Sequence, residues 1–515
     1  MSVLTITNLS HIFDEKQLFD NANLTVNNGE HIGVVGLNGA GKSTFMNIIA
    51  GNLSQDIGEV KWLNGIRWGY LDQHANIDRS LSVMEYLKTS FQYLYHMESE
   101  LNALYEKMGD ISDEKELDSL IEKTAKMQDR LQNSNFYDLE SEIKKVATGL
   151  GIHNYGYDTI IATLSGGQRA KLMLAKLLLQ DLDVMLLDEP TNFLDLEQID
   201  WLNKFLNAFK GTFILVSHDT QFLNDTCKII INIENAQITK YWCSYNEYLV
   251  QHKQKTQQYI DNYERQQREI KKMEEYIAKN KARASTAGMA NSRQKMLDKI
   301  DVMQKPVSIV KPTFEFPYVQ ILTRHLLDVK GLEIGYDGVA ILPPIDLSMG
   351  SDTKMWIRGT NGLGKTTLLK TLMHKLPAIS GIFDFHLQTK INYVEQDLIF
   401  RTKQMSATTF MNETFPRMNA KEIRSELAKV GLRGELATKP IANLSGGEQV
   451  KIKLCAIMQK PSNLLILDEP TNHLDVNAKD ALFDALQDYK GAILFVTHEP
   501  EYAKRICTDI FDIKF

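Results

Sequence analysis

The sequence predicts an α/β protein built from two copies of one domain, joined by a long α-helical hairpin, with a helical arm inserted in the first copy. Three observations predict it. Motifs recur in the same order in both halves: GLNGAGKS at 36–43 and GTNGLGKT at 359–366, LSGGQ at 164–168 and LSGGE at 444–448. VMLLDEPTNFLD at 184–195 returns as LLILDEPTNHLD at 464–475, and LVSHD as FVTHE. The intervals also agree: Lys42 to Gln73 and Lys365 to Gln396 span 31 positions, and Ser165 to Glu189 and Ser445 to Glu469 span 24. Glu189 to His218 and Glu469 to His498 both span 29, a coincidence that only duplication of a whole domain explains. Finally, one interval differs, Gln73 to Ser165 being 92 and Gln396 to Ser445 being 49, so the first copy holds an insertion of 43 residues. The expected domains are 1–249, with an arm at about 91–138, a linker at 250–312, and 313–515.

Within each copy, HIGVV before the first glycine-rich motif is an apolar run suited to a buried strand, and STFMNIIAG after it is helical and ends at a glycine stop. A glycine-rich turn between strand and helix lets backbone N–H groups crowd round phosphates at the positive helix end. Lys42 and Lys365 add charge there, and the Ser43 and Thr366 hydroxyls suit Mg²⁺. The run VMLLDE reads as a central strand with two acids at its tip. Asp188 and Asp468 are expected in the Mg²⁺ shell, and Glu189 and Glu469 are expected to orient or deprotonate the attacking water. His218 and His498 end the next apolar run, within reach of a γ-phosphate.

Taken together, these motifs resemble the ATP-binding cassette, a P-loop NTPase fold, complete in both copies. The resemblance implies ATP contacts from Gly36, Asn38, Gly39, Gly41, Lys42, Ser43 and Thr44, repeated by Gly359, Asn361, Gly362, Gly364, Lys365, Thr366 and Thr367. It adds Gln73 and Gln396 to the metal shell, and puts Phe13 and Tyr336 against adenine. In this family two cassettes meet head to tail. Ser445, Gly446 and Gly447 would thus complete the first site, and Ser165, Gly166 and Gly167 the second. One position departs: Phe193 stands where the second copy has the family's His473, which puts equal behaviour of the two sites in doubt.

The insertion carries apolar residues at helical steps: Phe91, Leu94, Met97, Leu101, Leu104 and Met108, then Leu117, Leu120, Ile121, Thr124, Met127 and Leu131. Between Phe91 and Leu131 there are ten acids and five bases, so the hairpin reads as a protein-contacting arm rather than a nucleic-acid grip. The linker is the opposite. Residues 251–310 hold thirteen bases and seven acids in a chain of net charge −7, and from Tyr276 to Leu297 there are five bases and no acid. Tyr259, Tyr263, Ile270, Met273 and Ile277 mark one helix, Met296, Leu297, Ile300 and Met303 a second, and the acid-free stretch lies at the turn. A basic tip with few aromatics suits a phosphate backbone rather than base stacking.

Tandem cassettes, an arm in the first and a basic hairpin between them resemble the ABC-F family. The run YIAKNKARASTAGMANSRQKMLDKI is similar to that family's linker. The resemblance implies an ATPase that enters the ribosomal E site with ATP bound. Its linker tip (Lys279, Lys281, Arg283, Arg293, Lys295) would face P-site tRNA and rRNA near the peptidyl-transferase centre, and hydrolysis would release it. Two family roles stay open: a translation factor, which the short tip of a housekeeping Firmicutes-type branch favours, and an antibiotic-resistance protein protecting ribosomes. A transporter ATPase is a third reading, disfavoured by the basic linker of about sixty residues and the unequal copies. No apolar run approaches the ~20 residues that span a bilayer. The four cysteines are scattered, without zinc spacing, and the first residues lack a secretory layout. A cytoplasmic protein, monomeric off the ribosome and without DNA or membrane partners, is expected.

Overall fold

The computed structural model describes residues 1–13, 16–37, 39–71, 77–108, 114–134, 136–280, 287–303, 311–359, 363–395, 400, 402–471, 474–497 and 499–513. Asn38, Gln73, Asn361, Gly362, Gln396 and His498 of the expected sites, and Lys281 and Arg283 of the linker tip, lie outside the described residues.

Each half pairs a parallel sheet with a smaller antiparallel one. In the first half the parallel strands run in the order Trp68–Leu71, Val184–Asp188, Thr212–Val216, His31–Val35, Ile229–Glu234, with Gln237–Tyr241 added antiparallel at the edge. In the second half the order is Ile391–Val394, Leu464–Asp468, Ala492–Val496, Lys354–Arg358, Asp509–Asp512, all parallel. The central strands are buried on both faces, which is why they read as unbroken apolar runs without alternation. The register repeats too: Asp188 pairs with Val216 and Asp468 with Val496, so each carboxylate stands opposite the last residue before a histidine loop. A three-stranded antiparallel sheet flanks each P-loop: Lys16–Asn27, Ser2–Phe13, Ile57–Trp62 in one half and Ile345–Gly350, His325–Glu333, Ser380–Phe385 in the other.

The insertion forms two helices, Gln92–Met108 and Glu114–Asn133, which pack on one another. Leu94, Leu101 and Leu104 meet Met127 and Leu131 in the seam, joined by the buried hydroxyl of Thr124, which donates to the Leu120 carbonyl at 2.9 Å. Ile121, expected in that seam, is exposed; Leu120 and Ile121 are adjacent and a narrow seam covers only one side of the helix.

The linker begins as a single helix, Tyr245–Asn280, of 36 residues. At 1.5 Å per residue it extends about 54 Å. Its first turns are anchored on the first half: Tyr248 packs edge-on to Tyr241, and His252 Nε2 lies 2.7 Å from the Glu234 carboxylate. That contact, more than burial opposes it, holds Glu234 below the usual carboxylate range. The returning helix, Ala287–Leu297, lies against the first; it occupies the acid-free stretch itself, and Ile300 and Met303, expected in it, fall beyond its end. Ile277 is buried between them, whereas Met296 points to solvent, against expectation, because this short helix needs only one narrow stripe. The chain then enters the second half through Phe314 and Phe316, both buried in its core.

Candidate active site

Two P-loop helices, Lys42–Ile49 and Lys365–Leu372, each start from a glycine in left-handed backbone, Gly41 at φ 102° and Gly364 at φ 84°. Such φ values are accessible chiefly to glycine. At Gly36 the constraint is space: a Cβ would sit 2.6 Å from the Ile233 carbonyl oxygen. Lys42 Nζ donates to the Gly36 carbonyl at 2.9 Å, and Lys365 Nζ to the Gly359 carbonyl at 2.7 Å. Both ammonium groups are buried, which lowers their pKa, while neighbouring carboxylates oppose the shift. The opposing carboxylates come from both halves: Glu189, Asp475 and Asp188 act on Lys42, and Glu469, Asp468 and Asp195 act on Lys365.

The acids behave as buried strand tips should. Burial raises the Asp188 pKa and the Ser43 hydroxyl partly offsets it. Asp468 is fully buried and pushed up to about 6, with the Thr366 hydroxyl opposing the shift. The Asp468 carboxylate is buried at the strand tip with the Thr366 hydroxyl acting on it. A hydroxyl beside a buried carboxylate at a phosphate-binding turn is the donor set a hard divalent cation takes, and Mg²⁺ fits it. Glu189 and Glu469 both adopt φ 49°, unusual for a side chain with a Cβ, and each keeps its ladder bond, to Val216 and Val496, at 2.9 Å. Burial first, then the adjacent Asp188, pushes the Glu189 carboxyl up to about 8. Its Oε2 accepts from the His218 backbone N–H at 3.1 Å, and His218 Nε2 lies 3.5 Å from Oε1.

Ser165 and Ser445 open helices Gly166–Leu179 and Gly446–Met458 as N-caps, with Gln168 and Glu448 returning a hydrogen bond in capping boxes. The packing of the halves brings Ser445, Gly446, Gly447 and Glu448 to the first P-loop. Together with Phe13, Gly39, Gly41, Lys42, Ser43, Thr44, Asp188, Glu189 and His218 they line one cavity of about 740 Å³. Phe13 is 58 % exposed and Tyr336 53 %, the latter with its hydroxyl 3.1 Å from Thr367 Oγ1. Lys16, Tyr70, Lys439 and Asn443 also line the cavity, and sequence reasoning passed over them. Lys16 donates to the Gly39 carbonyl at 2.7 Å; it lies outside every repeated motif, so no spacing pointed to it.

Lys279 and Lys295 are exposed, while the Arg293 guanidinium stacks on the Tyr276 ring, 3.7 Å from its centroid. Arg293 therefore fastens the two linker helices together as well as carrying charge.

Fold and site define a pair of ATP-binding cassettes, and an ATPase. The ABC transporter family model matches residues 19–192 and 342–472, and a second model of the same description matches 231–316, spanning the linker. An uncharacterized ABC transporter ATP-binding protein, YfmM of Bacillus subtilis, is 41 % identical over 99 % of this chain and 98 % of its own. ABC transporter F family member 2 of Arabidopsis thaliana is 29 % identical over 100 % of this chain and 76 % of its own. The chain belongs to the ABC-F family of ATP-binding proteins. Among solved structures, the archaeal ribosome recycling factor aABCE1, in complex with the ribosomal stalk protein aP1, superposes with a TM-score of 0.60. That match has 18 % identity and covers 98 % of this chain and 87 % of the other, which shows a shared fold. Among the described residues no helix is long and apolar enough to cross a membrane.

Proposed function

We propose that the protein is a ribosome-directed ATPase whose two composite sites close on ATP and open on hydrolysis. In the first site Lys42 and the glycine-rich backbone cradle the phosphates, Phe13 stacks on adenine, and Ser445 with Gly446 and Gly447 closes over the γ-phosphate from the second half. Lys365, Thr367 and Tyr336, with Ser165, Gly166 and Gly167, do the same in the second. Ser43, Asp188 and Gln73, and likewise Thr366, Asp468 and Gln396, would hold Mg²⁺, which when bound neutralises charge on the β- and γ-phosphates. Water attacks the γ-phosphorus as the bond to the β–γ bridging oxygen breaks, and Glu189 or Glu469 takes the proton. His218 or His498 holds the γ-phosphate in line. The products are ADP and phosphate.

The output is the linker. One observation carries this part of the reading: a 36-residue helix rooted beside the Ile229–Glu234 strand carries the exposed Lys279 in its last turn. Closure of the halves would re-aim such a rigid lever. Its basic end fits an RNA phosphate surface, which on a ribosome is rRNA and the P-site tRNA approached from the E site. The ribosome recycling factor that shares this fold supports that direction. We read the protein as a cytoplasmic translation factor, monomeric away from the ribosome, with the acidic arm contacting ribosomal protein.

The test is co-sedimentation of Glu189→Gln/Glu469→Gln with 70S ribosomes. Binding with ATP and none with ADP is expected. Equal binding, or none with ATP, overturns the proposal. Added peptidyl-transferase antibiotics distinguish a drug-displacing protein, which would restore translation in their presence, from a factor that would not.

A further inference from the structure

One contact across the interface breaks the twofold repetition of the sites. Lys479, on helix Val476–Asp488 of the second half, is buried, at 5 % exposure. Its Nζ donates to the His218 carbonyl of the first half at 3.2 Å and forms an ion pair with Glu499. The same residue, His218, donates its N–H to Glu189 Oε2 at 3.1 Å. Both polar groups of one peptide residue are therefore held, one by the carboxylate beside the reaction and the other from the opposite half.

The second site has no counterpart by composition. Lys479 stands ten positions after Glu469, and ten positions after Glu189 stands Ile199. An isoleucine side chain donates nothing. The acid partner is also altered, Asp219 standing where the second copy has Glu499, so the shorter carboxylate accompanies the missing cation. Asp219 instead caps its own helix, accepting from the Phe222 N–H at 3.0 Å. A cavity of about 320 Å³ adjoins the contact, lined by His218, Asp219 and Gln221 from one half and by Lys479, Glu499 and Lys504 from the other. The lysine thus supports the His218 loop from the opposite half.

We propose that Lys479 is a positioning residue acting across the interface. It holds the His218 backbone so that Glu189 keeps the orientation needed to take a proton from water, and the site containing Glu189 is thereby the faster of the two. Because Glu499 follows His498 directly in the chain, the same lysine ties the histidine loop of one site to that of the other. Removing the lysine alone would leave Glu499 buried without its cation, so the informative variant is Lys479→Met with Glu499→Gln.

This inference rests on reading Glu189 and Glu469 as the two hydrolytic carboxylates, and the experiment separates the two. Phosphate release is measured in the full chain with either Glu469→Gln or Glu189→Gln, leaving one site at a time. In the Glu469→Gln background, Lys479→Met/Glu499→Gln should lower kcat by about 10-fold with KM for ATP changed less than about twofold, and Lys479→Arg should recover most of it. In the Glu189→Gln background the loss should be at least about fivefold smaller. Equal losses in the two backgrounds, or a change carried by KM, would make Lys479 a structural strut and overturn the proposal. Amide exchange over residues 216–220 gives a readout independent of which carboxylates hydrolyse. It should quicken in the double variant, and unchanged protection there sinks the proposed support even if the carboxylate reading fails on its own.

Discussion

Glu189 is held in a conformation its side chain resists, at φ 49°, with its carboxyl pushed up to about 8 by burial and by Asp188. The stability consequence has a definite sign. The unfolded chain loses this proton near the ordinary carboxyl value of 4.5 and the folded chain near 8, so the folded state binds more protons between them. Stability of the nucleotide-free protein therefore falls as pH rises through that window. Glu189→Gln should remove this part of the slope: its melting temperature should exceed that of the parent at pH 8, with the gap closing towards pH 5. Parallel melting curves across that range would refute the assignment. Hydrolysis should fall by about 10²-fold or more at that site, read as single-turnover phosphate release with the other site silenced.

The helices added to the cassettes depend on narrow seams, and each can be loosened separately. Leu131 is fully buried where the arm helices meet. Leu131→Ala should cost about 2–4 kcal/mol locally. Faster amide exchange over 92–133 with unchanged ATP turnover is the expected result, and lost turnover would tie the arm to the catalytic core. In the linker, Tyr276→Ala removes the surface on which Arg293 rests, a contact of about 0.5–1 kcal/mol. Exchange over 287–297 should rise while the helix Tyr245–Asn280 keeps its protection near the His252–Glu234 anchor. The sequence periodicity found both hairpins but set the second linker helix too late, Ile300 and Met303 lying beyond Ala287–Leu297, and drew the stripes too wide, admitting Ile121 and Met296. An apolar residue beside a stripe looks the same on paper whether or not a partner helix is wide enough to cover it.

Across the whole molecule the two halves are joined through their sites. Ser445→Arg, placed in the second half, should silence the turnover that depends on Glu189 and leave most of that depending on Glu469. Phosphate release from the two single-site backgrounds measures this, and the opposite pattern would mean that each half closes its own site. The cavity uniting Lys42 with Ser445 is the reason for expecting the crossed pattern.

The sequence by itself determined the duplication, the P-loops, the acids at the strand tips and the placement of the two helical additions. Each rests on a local requirement: a glycine where φ is positive, an apolar run where a strand is buried on both faces, a helical step where one stripe is covered. The tertiary structure decided what meets what. Lys16 on the Gly39 carbonyl, Arg293 on Tyr276 and Lys479 on the His218 carbonyl join residues distant in sequence or absent from any motif. Lys479 differed from the repeat at a position where Ile199 marked only a helix face. Whether a lysine there meets solvent or a carbonyl depends on how two folded surfaces dock, and no local pattern encodes that.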